Sequence, residues 1–145
     1  MASPDIFTTS SEQETFALGQ AVAATVTPGT FVLLHGDLGA GKTAFVRGLA
    51  AGLGADPDNV SSPTFVLIQH YRGRTPLVHV DLYRLDSDGA VDDLGLEEMA
   101  NGAVVAIEWA ERLPRRLDDS VTVRIEDFGN DSRRITIEKR QGNTE

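Results

Sequence analysis

The sequence predicts an α/β fold, a single domain in which helices flank a sheet of mixed parallel and antiparallel strands. Three observations carry that expectation. A short apolar run, Phe31–His35, leads directly into a glycine-rich loop and then an amphipathic stretch with helical spacing. A further short buried-strand pattern stands alone at Ala103–Ile107. Two pairs of strand-like segments, each pair joined by turn residues, read as β-hairpins. At 145 residues the chain has the length of one compact domain, and no repeat, low-complexity tract or linker divides it.

Each element follows from local signals. Ser10 and Ser11, followed three residues later by Gln13 and Glu14, offer capping boxes for a first helix. Leu18, Val22 and Val26 recur at i, i+4 and i+8 on one expected buried face, and Thr27-Pro28-Gly29 ends the segment. After the glycine loop, Phe45, Leu49 and Leu53 repeat the helical spacing, with Gly54 as the expected C-cap. Phe65–Tyr71 and Leu77–Tyr83 form the first expected hairpin, around Arg72-Gly73-Arg74-Thr75-Pro76. The acidic segment Asp86–Ala100 reads as one or two short helices broken at Gly89 and Gly95. Val121–Ile125 and Arg134–Lys139 form the second hairpin around Asp127–Ser132, and Arg140–Glu145 reads as a frayed tail.

Charge and composition exclude several functions. With 13 basic and 22 acidic residues the net charge is −9, a field that repels a phosphate backbone and argues against self-sufficient nucleic-acid binding. The basic clusters Arg112/Arg115/Arg116 and Arg133/Arg134 read as solvated surface. No cysteine is present, so disulfides, thiolate metal ligands and cysteine nucleophiles are excluded. The start Met1-Ala2-Ser3-Pro4-Asp5 does not read as a secretory signal, and the apolar runs are too short to span a bilayer. The expected location is the cytoplasm.

The most specific motif is Gly36-Asp37-Leu38-Gly39-Ala40-Gly41-Lys42-Thr43, a full match to G-x-x-x-x-G-K-[ST]. The chemistry requires these residue types. Glycines adopt positive φ and let backbone N–H groups approach phosphate oxygens. The next helix turns its positive end toward the same anion. Lysine reaches the β- and γ-phosphates, and the Thr43 hydroxyl ligates Mg2+. With two lysines and 14 glycines in the chain, chance would produce roughly 0.002 such matches. The expected nucleotide contacts run through Asp37, Leu38, Gly39, Ala40, Gly41, Lys42, Thr43 and Ala44, and the fold expectation sharpens to a P-loop NTPase-like sheet. The alternative dinucleotide fingerprint, Gly39-x-Gly41-x-x-Ala44, fails because Val60-Ser61-Ser62-Pro63-Thr64 carries no acid to hold a ribose.

A magnesium ion in such a site takes one or two carboxylates besides the hydroxyl, phosphates and water. Two strand patterns end in an acid, Leu77–Asp81 and Val104–Glu108. Alternation puts His79, Asp81 and Tyr83 on one strand face. Asp81 and Glu108 are therefore both candidates for the metal or for the attacking water, and spacing does not divide the roles between them. His79 and His70 read as packed or surface imidazoles.

Four blocks in order make the pattern more specific: the loop Gly36–Thr43, Ser61-Ser62-Pro63-Thr64-Phe65, His79-Val80-Asp81-Leu82-Tyr83-Arg84-Leu85, and Glu108-Trp109 with Glu111. Together they resemble the TsaE family, the bacterial ATPases of tRNA threonylcarbamoyladenosine biosynthesis. The similarity spans roughly Phe16 to Trp109, and the terminal hairpin fits more loosely. The resemblance implies a cytoplasmic protein that binds ATP and Mg2+, hydrolyses slowly alone and associates with TsaD and TsaB. It implies tRNA contact only through those partners, with hydrolysis resetting the complex. It places Lys42 and Thr43 at phosphate and metal, Thr64 and Asp81 near the γ-phosphate, Glu108 at the metal or its water, and Trp109 close by. Ala110 stands where proline is common in the family, and affects no catalytic assignment.

Other classes fit less well. No Asn-Lys-x-Asp motif supports a GTPase, no Ser-Gly-Gly-Gln signature supports a transporter ATPase, and little chain is left for the acceptor lobe and lid of a kinase. A nucleotide-dependent docking subunit with incidental hydrolysis remains an alternative. Arg84 is the leading internal candidate for an arginine finger.

Overall fold

The computed structural model describes residues 4–36, 41–60, 68–82, 89, 94–113, 117 and 119–140. Their elements are β1 (Asp5–Thr9), α1 (Glu12–Ala23), β2 (Phe31–His35), α2 (Lys42–Gly52), β3 (Ile68–Tyr71), β4 (Leu77–Asp81), α3 (Leu96–Met99), β5 (Val104–Glu108), β6 (Ser120–Gly129) and β7 (Ser132–Arg140). Short 3-10 turns occupy Pro57–Asn59 and Ala110–Arg112. Among the described residues, no helix is long and apolar enough to cross a membrane.

The strands form one seven-stranded sheet in the order β1-β7-β6-β2-β5-β4-β3. Its centre is parallel, with β6, β2, β5 and β4 running the same way. The edges are antiparallel: β3 pairs with β4, β7 with β6, and β1 with β7. The mixed sheet, its flanking helices and both hairpins therefore agree with the expectation. Phe31–His35 matches β2 residue for residue. Of the Asp86–Ala100 segment, α3 lies within the described residues as a four-residue helix. Arg140, expected to begin a frayed tail, is paired with Ser120 as the last residue of β7, and the rest of Arg140–Glu145 lies outside the described residues.

Two clusters fill the faces of the sheet. On one, Val32, Leu34, Val104, Ala106, Val121 and Val123 meet Phe45, Val46 and Leu49 of α2 and Val22 and Ala23 of α1. On the other, Phe31, Val78, Val80, Val105 and Ile107 meet Leu96 and Ala100. Every residue of β5 is buried, which is why Val104–Glu108 reads as a continuous apolar run closed by one acid.

The inner face of α1 differs from the expected stripe. Its buried residues are Thr15, Gly19, Val22 and Ala23, whereas Leu18 and Val26 pack only partly against the core. Small residues face α2 because the two helix backbones nearly touch. A Cβ added at Gly48 would lie 1.9 Å from the Phe16 carbonyl oxygen, and one at Gly19 would lie 2.2 Å from that of Phe45. Glycine at both positions permits this approach.

Candidate functional site

Strands β2, β4 and β5 end together. Leu34 is in register with Glu108, and Glu108 with Asp81. The C-terminal edge of the parallel strands thus carries two carboxylates side by side, where open α/β sheets bind their ligands. Directly after β2 the chain enters the glycine loop and returns as α2, so the helix start and the two acids converge on the same edge.

Gly41 precedes α2 with φ 107° and ψ 15°, a left-handed conformation that glycine accepts freely. No side chain caps this helix and no acid lies in its first turn. Among the described residues, its leading N–H groups and the positive end of its dipole have no side-chain cap. Lys42, the first helical residue, is 6% exposed. Its Nζ donates to the Gly36 carbonyl at 2.8 Å and lies 4.8 Å from the centroid of the Trp109 ring. A buried ammonium held by one carbonyl and one aromatic face stations a cation at the start of α2. Thr43 and Ala44 follow in the first turn, half-buried.

Trp109 reaches Lys42 because the chain turns sharply after β5. The residue adopts φ 59° and ψ 44° and opens the 3-10 turn Ala110–Arg112. A left-handed conformation in a bulky residue costs on the order of 1–2 kcal/mol. The cation–π contact shows what that turn achieves.

Glu108 is 4% exposed, and His79 is wholly buried beside it. The imidazole Nε2 donates to Oε2 of Glu108 at 2.6 Å. The expectation for His79, a packed or surface imidazole, omitted this bond, since 29 residues separate the two in sequence. Asp81 is half-buried at the same edge.

His35, at the end of β2, has its Nδ1 3.8 Å from Oε1 of Glu111. Burial holds its pKa below the ordinary 6.5; Glu111 opposes that shift, while Arg124 and Lys42 reinforce it. Arg133 of β7 comes within 3.7 Å of the position a Gly41 Cβ would take. Its Nη1 donates to Asp127 Oδ1 at 3.0 Å, and its side chain is 17% exposed. Arg133 is thus not the freely solvated surface charge its sequence context suggests.

The structure therefore brings Gly41, Lys42, Thr43, Ala44, Asp81, Glu108 and Trp109 to one edge. Asp37, Leu38, Gly39, Ala40, Thr64 and Arg84 lie outside the described residues. The donor set is a hydroxyl and two carboxylates, hard oxygen ligands of the kind magnesium prefers, beside a cation suited to phosphate. Among the described residues, no cluster of three or more His, Asp or Glu side chains forms a protein-only metal cage.

Known proteins share both sequence and fold. The family model of threonylcarbamoyl adenosine biosynthesis protein TsaE matches residues 9–135, including most of the β6–β7 hairpin as well as the four motif blocks. The tRNA threonylcarbamoyladenosine biosynthesis protein TsaE of Treponema pallidum is 41% identical over 129 residues, 88% of this chain and 95% of that protein. The protein of the same name from Bacillus subtilis is 41% identical over 128 residues, covering 86% of this chain and 79% of its own length. The crystal structure of Bacillus subtilis YdiB superposes with a TM-score of 0.73 at 35% identity, covering 99% of this chain and 89% of that one. On the family match, these identities and the shared fold, the chain belongs to the TsaE family.

Proposed function

We propose that this protein binds ATP with Mg2+ at the loop Gly36–Thr43 and hydrolyses it. We propose further that this cycle serves threonylcarbamoylation of the adenosine next to the anticodon of tRNA, in a cytoplasmic complex with TsaD and TsaB. The observation that carries the reading is the buried Lys42 ammonium beside an uncapped helix start, at the edge where Asp81 and Glu108 end their strands. The net charge of −9 agrees with tRNA being held by partners rather than by this chain.

Each residue then has a task. Lys42 gives up the Gly36 carbonyl for β- and γ-phosphate oxygens, and Trp109 stays beside the nucleotide. Backbone N–H groups from Asp37 to Ala44 cradle the phosphates. Thr43 holds the metal, with Asp81 and Glu108 dividing the remaining metal and water contacts, and Thr64 stands near the γ-phosphate. Bound Mg2+ supplies neutralisation of the charge that builds on the phosphate oxygens. Water attacks the γ-phosphorus in line, keeping one hydrogen on the phosphate product and releasing the other as a proton to solvent. The new oxygen–phosphorus bond forms as the bond to the bridging oxygen breaks, and ADP leaves with that oxygen.

Turnover of Mg·ATP by the purified chain, alone and with TsaD and TsaB, tests this reading. Slow hydrolysis alone and faster hydrolysis in the complex are expected. Lys42→Ala should lower it by about 10²–10³-fold, the loss seen when a preorganised charge-stabilising donor is removed. Cells relying on that variant should lack the modified adenosine. Undiminished hydrolysis would sink the site assignment, and normal modification would sink the pathway assignment.

A further inference from the structure

The pair His79–Glu108 is the most buried polar contact among the described residues. His79 has no exposed surface and Glu108 is 4% exposed, in a sheet face otherwise built from Val32, Leu34, Leu77 and Val104. Replacing water around a carboxylate and an imidazole is costly unless each finds a partner. An aliphatic residue at 79 would avoid that cost and continue the core. A polar group kept there calls for a reason beyond packing.

The register gives the reason its geometry. His79 lies opposite Ala106, two residues before the point where Asp81 faces Glu108. Ala106 carries only a methyl group, so the imidazole can lie along the sheet toward the next residue on that face, Glu108. Its Nε2–H then meets Oε2 at 2.6 Å. Among the described residues, Nδ1 has no hydrogen-bond partner. That arrangement suits a ring whose Nδ1 carries a lone pair, because an orphaned N–H would be costlier. The tautomer is therefore set, with the hydrogen directed at the carboxylate.

We propose that His79 is a positioning residue of the hydrolytic site. By engaging Oε2 it locks the Glu108 side chain in one rotamer and leaves Oε1 as the oxygen available to the metal or its water. The role rests on the Mg·ATPase reading above. It would act through Glu108, without contact to nucleotide. Hydrogen bonds of this kind behind a ligating side chain typically change affinity or activity by about 10–100-fold when removed.

The test compares His79→Gln, His79→Asn and His79→Leu, each assayed for melting temperature, partner-stimulated kcat and KM, and ATP affinity by calorimetry with and without Mg2+. The Gln amide nitrogen can occupy the place of Nε2, whereas the Asn amide is too short and Leu has no donor. We expect kcat to fall about 10–100-fold in the Asn and Leu variants and to recover largely in the Gln variant. The gain in ATP affinity on adding Mg2+ should shrink in the same order, with metal-free affinity unchanged. Should the Leu variant fail to fold, the Gln and Asn pair still decides. Equal loss in Gln and Asn, or loss that follows melting temperature, would overturn the positioning role and leave the ATPase reading intact. A wild-type protein with neither turnover nor Mg2+-dependent nucleotide binding would overturn both.

Discussion

Helices α1 and α2 have nearly the same length and lie backbone to backbone, yet they begin in opposite ways. α1 starts from Ser11 in an extended conformation, φ −159°, whose hydroxyl accepts from the Glu14 N–H at 3.1 Å. Glu14 in turn accepts from the Ser10 N–H at 2.7 Å, and Glu12 adds a second acid to the first turn. α2 starts from left-handed Gly41 with no side-chain cap, no acid in its first turn and a buried lysine instead. In α1 the exposed N–H groups and the dipole are satisfied by the chain itself. In α2 they have no side-chain cap and no acid beside them, and the buried lysine adds positive charge there, which suits the anionic ligand proposed above. The same physical deficit is thus closed in one helix and left open in the other.

The comparison can be broken most severely at the seam that holds both helices. Gly48→Ala would drive a methyl group to 1.9 Å from the Phe16 carbonyl, and should cost about 3 kcal/mol despite alanine's better helix propensity. Urea denaturation measures it, and a neutral result would mean the helices separate easily. Giving α2 the charge pattern of α1 is the sharper probe. Ala44 holds the same helical position as Glu14, so Ala44→Glu should weaken ADP affinity at least tenfold, about 1.4 kcal/mol, with melting temperature unchanged or raised. Calorimetry reads the first and thermal unfolding the second. Conversely, Ser11→Ala should cost about 1 kcal/mol of stability and leave nucleotide affinity alone; a matching loss of affinity would show the two helix starts to be coupled.

The smallest effect concerns His35, which faces Glu111, Arg124 and Lys42. Burial lowers its folded pKa below 6.5, so the unfolded chain takes up a proton more readily. Its contribution to stability is complete above about pH 6.5 and is lost as pH falls through the folded value. His35→Asn should flatten that part of the stability–pH curve. Parallel curves for the two proteins would show that His35 does not titrate differently on folding.

The motif-bearing parts of the proposed site are legible because their chemistry is local. Glycines before a lysine and threonine, between an apolar strand and a helical spacing, suffice to name a phosphate loop. Asp81 and Glu108 were recognisable as acids closing apolar runs, although nothing local indicated that they end side by side. The contacts that escaped sequence reasoning are non-local. His79 and Glu108 are 29 positions apart, and Arg133 reaches the loop from the far hairpin. β1 escaped for another reason: Asp5 to Thr8 are exposed, and the strand exists through its pairing with β7 rather than through an apolar face.

The amino-acid order alone therefore carries the kind of ligand proposed, since a phosphate cradle is made of consecutive backbone groups whose conformations depend on which residues are glycine. It also determined the apolar strands and the first helix's cap, which arise from neighbours within a few positions. Strand order, the meeting of the two acids, the imidazole behind one of them and the glycine seam between helices were decided only by the tertiary structure. They depend on which distant segments come into contact, and contact is settled by burial of the whole chain rather than by any one stretch of it.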